Sequence, residues 1–241
     1  VHGAYDKIFE RLELSDKTYY TFASGGTFSK YSHEFQVLLV EGEDHIYISE
    51  DAEKKGERIA INKEIFEEGK TKCPVTGGTA FREERASEAG NIFQLGTKFS
   101  EPFNLQYTDQ NGKMYPIPMG CYGMGVSRLM GILVEAFADD HGMRWPESVA
   151  PVDLHIVPIA KEASDASYKE AEKVYKAAIK SGKTALFDDR LGASVGAKLS
   201  DADLIGAPTR IVVSPKTLDE KSVEKKDRMT GKIEMVPIGS L

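Results

Sequence analysis

Apolar positions along this chain recur with two different periods, and the pattern changes near residue 145. Val1, Ala4, Tyr5, Ile8, Phe9 and Leu12 fall at helical spacing, which predicts an amphipathic helix over 1–14. Residues 18–22 and 34–49 are rich in β-branched and aromatic side chains and predict strands. Ala23-Ser24-Gly25-Gly26-Thr27 between them reads as a loop. Residues 50–72 are charged and polar and read as a solvated helical excursion or insertion. Further strands are predicted over 85–108 and 114–122, followed by an apolar helix that Arg128 opens and that runs to Phe137. Strands in succession with one late apolar helix predict an antiparallel sheet with helices packed on it.

Trp145-Pro146-Glu147-Ser148-Val149-Ala150-Pro151 carries two prolines and reads as a linker. Beyond it strands (152–159, 184–187, 209–213) alternate with helices (164–181, about 193–204), and 232–236 closes the chain as a strand. That alternation predicts a small α/β domain with a mainly parallel, mixed sheet. The expected fold class is therefore α+β followed by α/β, with domains over 1–146 and 151–241.

Composition narrows the function classes. A chain of 241 residues is enough for one large domain or two ordinary ones, and 41% hydrophobic content can build a core. A net charge of −7 argues against a general basic coat for nucleic acid and leaves room for a local RNA-binding patch. Cys73 and Cys121 are far apart and form no C-x-x-C pair, so a disulfide framework or four-cysteine zinc site is not expected. That usage fits a reducing cytosol. No apolar run reaches membrane-spanning length and no signal peptide is recognisable.

The densest chemistry lies at Pro118-Met119-Gly120-Cys121-Tyr122-Gly123-Met124-Gly125-Val126-Ser127-Arg128, where a predicted strand meets the apolar helix. Glycines at 120, 123 and 125 let a flat ring or a phosphate approach the backbone. Arg128 supplies a fixed cationic fork suited to phosphate or a stacked base. The alternative is a glycine-rich turn before a core helix. His33-Glu34-Phe35 is either a polar pair at a strand edge or a cleft pair in which Glu34 meets an ammonium group; no second histidine stands at the spacing zinc requires. Glu88 to Ser100 reads as a bulged core strand or as the floor of a small apolar site. Phe81-Arg82-Glu83-Glu84 imitates the F-R-x-E signature of another nucleotide-binding motif and is read as a decoy. Thr71 to Gly78 looks like half a zinc ribbon without its partner thiols and is read as a turn. Asp188-Asp189-Arg190 and the 200–208 segment are caps and solvated edges, or an RNA-facing surface with Arg190 and Lys198.

Four blocks together resemble the prolyl-tRNA synthetases, class II aminoacyl-tRNA synthetases. They are Ser32 to Leu38, Gly90 to Ser100, Gly120 to Arg128 and Asp201 to Gly206, in the family's order. The third resembles class II motif 3. The resemblance implies an enzyme, a proline--tRNA ligase, that condenses L-proline with ATP to prolyl-adenylate and passes the prolyl group to tRNA(Pro). Catalysis would rest on positioning and charge neutralisation, with magnesium bridging the phosphates. It implies that Arg128 contacts the γ-phosphate and stacks on the adenine, with Gly123 and Gly125 admitting the ring. It implies a proline pocket from His33, Glu34, Phe93, Gly96, Thr97 and Cys121, with the thiol as wall rather than nucleophile. The terminal domain would read the anticodon, with Arg190 and Lys198 on the RNA.

The chain also departs from the family pattern. Motifs 1 and 2 would lie before Val1, and no large editing insertion separates motif 2 from motif 3. The expectation is the carboxyl part of a synthetase, homodimeric and cytoplasmic when whole, with no membrane or DNA partner and no adenylate formation by these residues alone. Other class II synthetases with the same terminal domain (threonyl, glycyl, histidyl) and a non-catalytic synthetase-derived tRNA-binding protein are the alternatives. The Gly90–Ser100 block argues against the former.

Overall fold

The computed structural model describes residues 1–240 and divides the chain into two compact units, Val1–Glu135 and the remainder from Ala136. In the first unit, helix α1 (His2–Arg11) precedes strands β1 (Thr18–Ser24), β2 (Tyr31–Leu38) and β3 (Asp44–Ser49). A short helix α2 (Glu50–Glu53) leads to β4 (Ile59–Asn62), and a 16-residue strand β5 (Phe81–Gly96) follows. The small hairpin β6 (Gln106–Thr108) and β7 (Met114–Pro116) comes before β8 (Met119–Met124) and helix α3 (Val126–Phe137).

The pairing closes a ring. β1 pairs with β2 antiparallel and with β4 parallel; β4 pairs with β3, β3 with β5, and β5 returns to β2. The length of β5 makes this possible: its first half pairs with β3 and its second half with both β2 and β8. Successive side chains alternate between ring interior and exterior. The interior holds Tyr19, Ile46, Ile48, Ala60 and Ala86 as one buried cluster with Leu38 against it. Outside, α1 lays Tyr5 and Phe9 on Phe35, with ring centroids 4.9 and 5.4 Å apart.

Several sequence expectations change here. The stretch 34–49 is two strands, because the chain turns at Leu39–Gly42. Residues 50–72 contain the short helix α2 and a single 3-10 turn at Lys63–Ile65, and Ile59–Asn62 is a ring strand. Its four residues are too few to show a period inside a charged stretch. The 85–108 strand ends at Gly96, whose φ of 56° turns the chain away.

In the second unit, β9 (Leu154–Pro158), helix α4 (Ala166–Lys180), β10 (Ala185–Phe187), helix α5 (Val195–Ile205) and β11 (Thr209–Val213) alternate. The short helix α6 (Pro215–Asp219) and the strands β12 (Ser222–Asp227) and β13 (Ile233–Pro237) complete a sheet of order β10-β9-β11-β12-β13. β10, β9 and β11 are parallel; β12 and β13 are antiparallel. Ile156, Ile211 and Val213 pack with Ala171 and Val174 of α4. Val157 and Val212 point the other way, to Ala202 of α5. Ser194 caps α5 by accepting from the Ala197 N–H, and Gly206 ends it at φ 75°.

The segment from Ala136 to Ala150 packs within this unit. The Trp145 indole donates to the Ile205 carbonyl at 3.0 Å, and the Met143 N–H donates to the Leu204 carbonyl at 3.2 Å. Arg228 forks onto both oxygens of Asp139 at 2.7 Å. No helix among the described residues is long and apolar enough to cross a membrane.

Candidate functional site

In the first unit the candidate residues gather on three neighbouring strands. Glu34 of β2 stands opposite Asn91 of β5, and Asn91 stands opposite Gly123 of β8. Two positions along, Phe93 stands opposite Cys121. Directly opposed residues share a face, as do residues two apart on a strand. Glu34, Asn91, Phe93, Cys121 and Gly123 therefore lie on one face, continuous with the ring interior.

His33 does not. It pairs with Ile92 on the opposite face, stacks on Tyr20 at 4.8 Å and meets the edge of Phe22 at 4.9 Å. Burial pushes its pKa down, with His2 adding to the effect, and its Nδ1 is buried without a hydrogen-bond partner. The expectation that His33 and Glu34 line one pocket is corrected: adjacent strand residues point to opposite sides. Gly96 and Thr97 lie at the rim, where β5 ends and Thr97 donates to Glu101 at 2.5 Å.

Glu34 sits in a built environment. Gln36 Nε2 donates to it at 2.9 Å and to Asp44 at 2.6 Å, and Asn62 Nδ2 donates to it at 3.0 Å. Burial raises its pKa above the usual carboxylate value, the two amide donors pull it back, and the charges of Glu88 and Asp44 raise it further. A half-desolvated carboxylate among other carboxylates favours a cation that neutralises it. Gln36, Asn62, Glu88 and Asn91 complete this environment without being predicted site residues, although Gln36, Glu88 and Asn91 fall within the singled-out blocks. The i, i+2 spacing of Glu34 and Gln36 was the one local signal.

Arg128 stands at the start of α3, exposed. Its Nη1 donates to the Glu88 carbonyl at 2.9 Å and lies 3.7 Å from that carboxylate; its Nε is 3.8 Å from Glu43. Glu88 also accepts from Asn91 Nδ2 at 2.9 Å, so the guanidinium and the Glu34 face share one polar framework. Gly125 binds the Ala89 carbonyl through its N–H at 3.0 Å. A Cβ on Gly123 would lie 3.3 Å from Asn91 Oδ1, crowding the face where a flat ligand would rest. Arg82 of the decoy motif forks onto Glu53 at 2.9 Å through both terminal nitrogens. Cys73 is buried in a turn closed by Gly77 and Gly78.

Residues 2–137 match the tRNA synthetase class II core domain (G, H, P, S and T), and residues 153–241 match the anticodon binding domain. The chain belongs to the class II aminoacyl-tRNA synthetases. Similar curated relatives include the proline--tRNA ligase of Wolbachia sp. subsp. Drosophila simulans (strain wRi), 38% identical over 99% of this chain and 56% of that protein. The proline--tRNA ligase of Bacillus mycoides (strain KBAB4) is 43% identical over 65% of this chain and 27% of its own length. The chain thus spans about half the length of the first of these relatives. Two solved structures share the fold. The prolyl-tRNA synthetase of Cryptosporidium parvum, complexed with L-proline and AMP, has a TM-score of 0.70 at 20% identity, covering 99% of this chain and 41% of that one. That of Giardia lamblia, complexed with prolyl-adenylate, has a TM-score of 0.69 at 19% identity, covering 98% and 42%. The motif 3 block of this synthetase chain, Gly120 to Arg128, is the β8–α3 junction described above.

In the anticodon-binding unit Arg190 is half exposed. It holds Asp188 through two nitrogens at 3.0 and 2.8 Å and Asp201 through a third at 2.7 Å. It borders a crevice of about 400 Å³ with His155, Phe187 and Leu204. Lys198 is not on the RNA-facing surface expected for it. It is 2% exposed, donates to the Pro158 and Asp188 carbonyls at 3.1 and 3.2 Å, and lies 3.7 Å from the Asp188 carboxylate. Its cation is committed to holding the Asp188 turn.

Proposed function

We propose that this chain supplies the amino-acid-recognising and motif 3 portion of a proline--tRNA ligase, together with its anticodon-binding domain. The observation that carries the reading is the shared face of Glu34, Asn91, Phe93, Cys121 and Gly123, linked through Glu88 to Arg128. Glu34 would accept the secondary ammonium of proline, and Phe93 with Cys121 would flank the pyrrolidine ring. Arg128 would hold the γ-phosphate and adenine of ATP over the glycines at 123 and 125. The proline carboxylate attacks the α-phosphorus and pyrophosphate leaves; the terminal ribose hydroxyl of tRNA(Pro) then attacks the prolyl carbonyl and AMP leaves. The chain's residues position and neutralise charge and form no covalent bond in either step. Magnesium would arrive on the ATP phosphates as part of the substrate. In the second domain Arg190 would face an anticodon base across its crevice, by stacking and edge contact. The complete enzyme would act as a homodimer in the cytosol.

The test is proline-dependent ATP–pyrophosphate exchange by the complete enzyme. Exchange with proline alone, reduced at least about 100-fold by Arg128→Ala, is expected. Exchange with another amino acid, or unchanged exchange in the variant, would refute the assignment.

A further inference from the structure

The Glu34 carboxylate is held by one oxygen. Gln36 Nε2 and Asn62 Nδ2 both donate to Oε2, at 2.9 and 3.0 Å. Among the described residues nothing donates to Oε1. The two amides come from different strands, β2 and β4. Oε2 is therefore pinned from two sides, and Oε1 is left as the free acceptor.

Gln36 makes this grip at a cost to itself. It is fully buried, opposite Tyr19 of β1 and Glu88 of β5, and Tyr19 belongs to the apolar cluster of the ring interior. Its Nε2 places both hydrogens on carboxylates, the second on Asp44 at 2.6 Å. Its Oε1 is buried with no donor among the described residues. Turning the amide over would set that oxygen against two carboxylates, so the orphan acceptor follows from donating twice. An unpaired buried acceptor lowers stability, and a fold that keeps one here gains the hold on Glu34 in exchange.

The groups that face Glu34 come from four strands and one helix. Asp44 opens β3, and Glu88 stands on β5. Beyond Glu88 lies Arg128 of α3, 3.7 Å from that carboxylate and 3.8 Å from Glu43. Thr21 faces Glu34 from β1 and Asn62 from β4, both uncharged. The neighbouring carboxylates disfavour the charge on Glu34, and the two amide donors favour it.

We propose that Gln36 and Asn62 are positioning residues for amino-acid recognition: they pin Oε2 of Glu34 and present its Oε1 alone to the ammonium group of the substrate. Each acts through Glu34 and touches no substrate atom. The proposal rests on the reading of the complete enzyme as a proline--tRNA ligase.

The experiment measures proline-dependent ATP–pyrophosphate exchange by the complete enzyme against pH, for Gln36→Met and Asn62→Asp, both shown folded by circular dichroism. Methionine fills the space of glutamine without donating. Aspartate keeps the acceptor by which Asn62 caps the Glu64 N–H. Each variant is expected to raise KM for proline at least about 10-fold and to leave kcat within about threefold, the pattern of lost substrate binding. The amides stabilise the charged carboxylate, so without either of them Glu34 gives up its proton at higher pH. The rise of 1/KM with pH is therefore expected to move to higher pH in both variants. A loss of affinity that is equal at every pH would assign the two amides to folding alone and overturn the proposal.

Carbon-13 NMR of the Glu34 carboxyl in the full chain reads the same hold without substrate. Its titration midpoint is expected to move upward in both variants, and an unmoved midpoint would overturn the proposal. The two readings separate cleanly. If the complete enzyme exchanges on proline and the variants change neither KM nor its pH profile, the positioning role fails and the ligase reading stands. If it exchanges on another amino acid while the NMR titration moves as expected, the ligase reading fails and the hold of Gln36 and Asn62 on Glu34 stands.

Discussion

Glu34, proposed above to accept the proline ammonium, carries a cost to stability. Its folded pKa lies above the ordinary carboxylate value because burial, and secondarily Glu88 and Asp44, disfavour the charge. A raised carboxylate pKa adds stability that is full below the unfolded value and is lost as pH rises through the folded one. Glu34→Gln is therefore expected to stabilise the first unit by about 1 kcal/mol at pH 7–8 and to weaken the pH dependence of unfolding, measured by urea denaturation. In the complete enzyme the same variant is expected to raise KM for proline at least about 10-fold, because a neutral amide cannot pair with a secondary ammonium. His33 makes the contrast. It lies on the other face in an aromatic stack, so His33→Phe is expected to leave the proline KM within about threefold, a change too small for a lost charged hydrogen bond. A larger rise in steady-state kinetics would put His33 back in the pocket.

At the scale of elements, the five-strand ring places β2, β5 and β8 side by side. Its interior tolerates little loss: Ile46 is fully buried, and Ile46→Ala is expected to cost about 3 kcal/mol in chemical denaturation. The β5–β8 seam depends on a missing side chain. A Cβ on Gly90 would stand 2.9 Å from the Gly123 carbonyl and 3.3 Å from the Tyr5 ring. Gly90→Ala is expected to part the two strands, costing about 2 kcal/mol and speeding amide exchange at Asn91 and Gly123. The test distinguishes a local opening from global unfolding, since β3–β4 amides should keep their protection. If Gly90→Ala leaves exchange unchanged, the seam is not sterically set by that glycine.

At the scale of the whole molecule the shifted carboxylates of the two units respond to pH in opposite directions. The carboxylates of the second unit are pulled below their usual range: Asp139 by its hydrogen bonds from Arg228, and Asp153 by the backbone N–H of Thr184. A depressed carboxylate adds stability that is present above the unfolded value of 3.8 and lost as pH falls through the folded one. Acid should therefore destabilise the second unit while relieving Glu34 in the first. The single tryptophan, Trp145, lies in the second unit and reports on it alone, so its fluorescence can be set against the circular dichroism of the whole chain. The Arg228–Asp139 fork ties the Ala136–Ala150 segment to the second unit. A chain beginning at residue 136 keeps Asp139 and Trp145; one beginning at 151 costs Arg228, which is only 4% exposed, its fork onto Asp139 and leaves it the Asp203 carbonyl and a carboxylate oxygen 4.0 Å away. The shorter chain is expected to melt roughly 5 °C lower.

The sequence alone determined the amphipathic first helix, the alternation of strands and helices at the start of the second unit, and the glycine–arginine junction at 120–128. Those features are local: periodicity, β-branched runs and glycine spacing act within a few residues of each other. The alternation of the second unit was legible for the same reason, since α4 and α5, at 15 and 11 residues, are longer than the strands between them and α4 carries an apolar stripe of Ala171, Val174 and Ala178. Tertiary structure alone decided three things. It decided that Ile59–Asn62 is a ring strand, because four residues gain their burial only from β1 and β3 on either side. It decided which of His33 and Glu34 faces the site, because the two faces differ only in what other strands and α1 lay upon them. And it decided that Lys198 is interior while Arg190 is accessible, because the carbonyls that bury the lysine come from Pro158 and Asp188, 40 and 10 residues away in the chain.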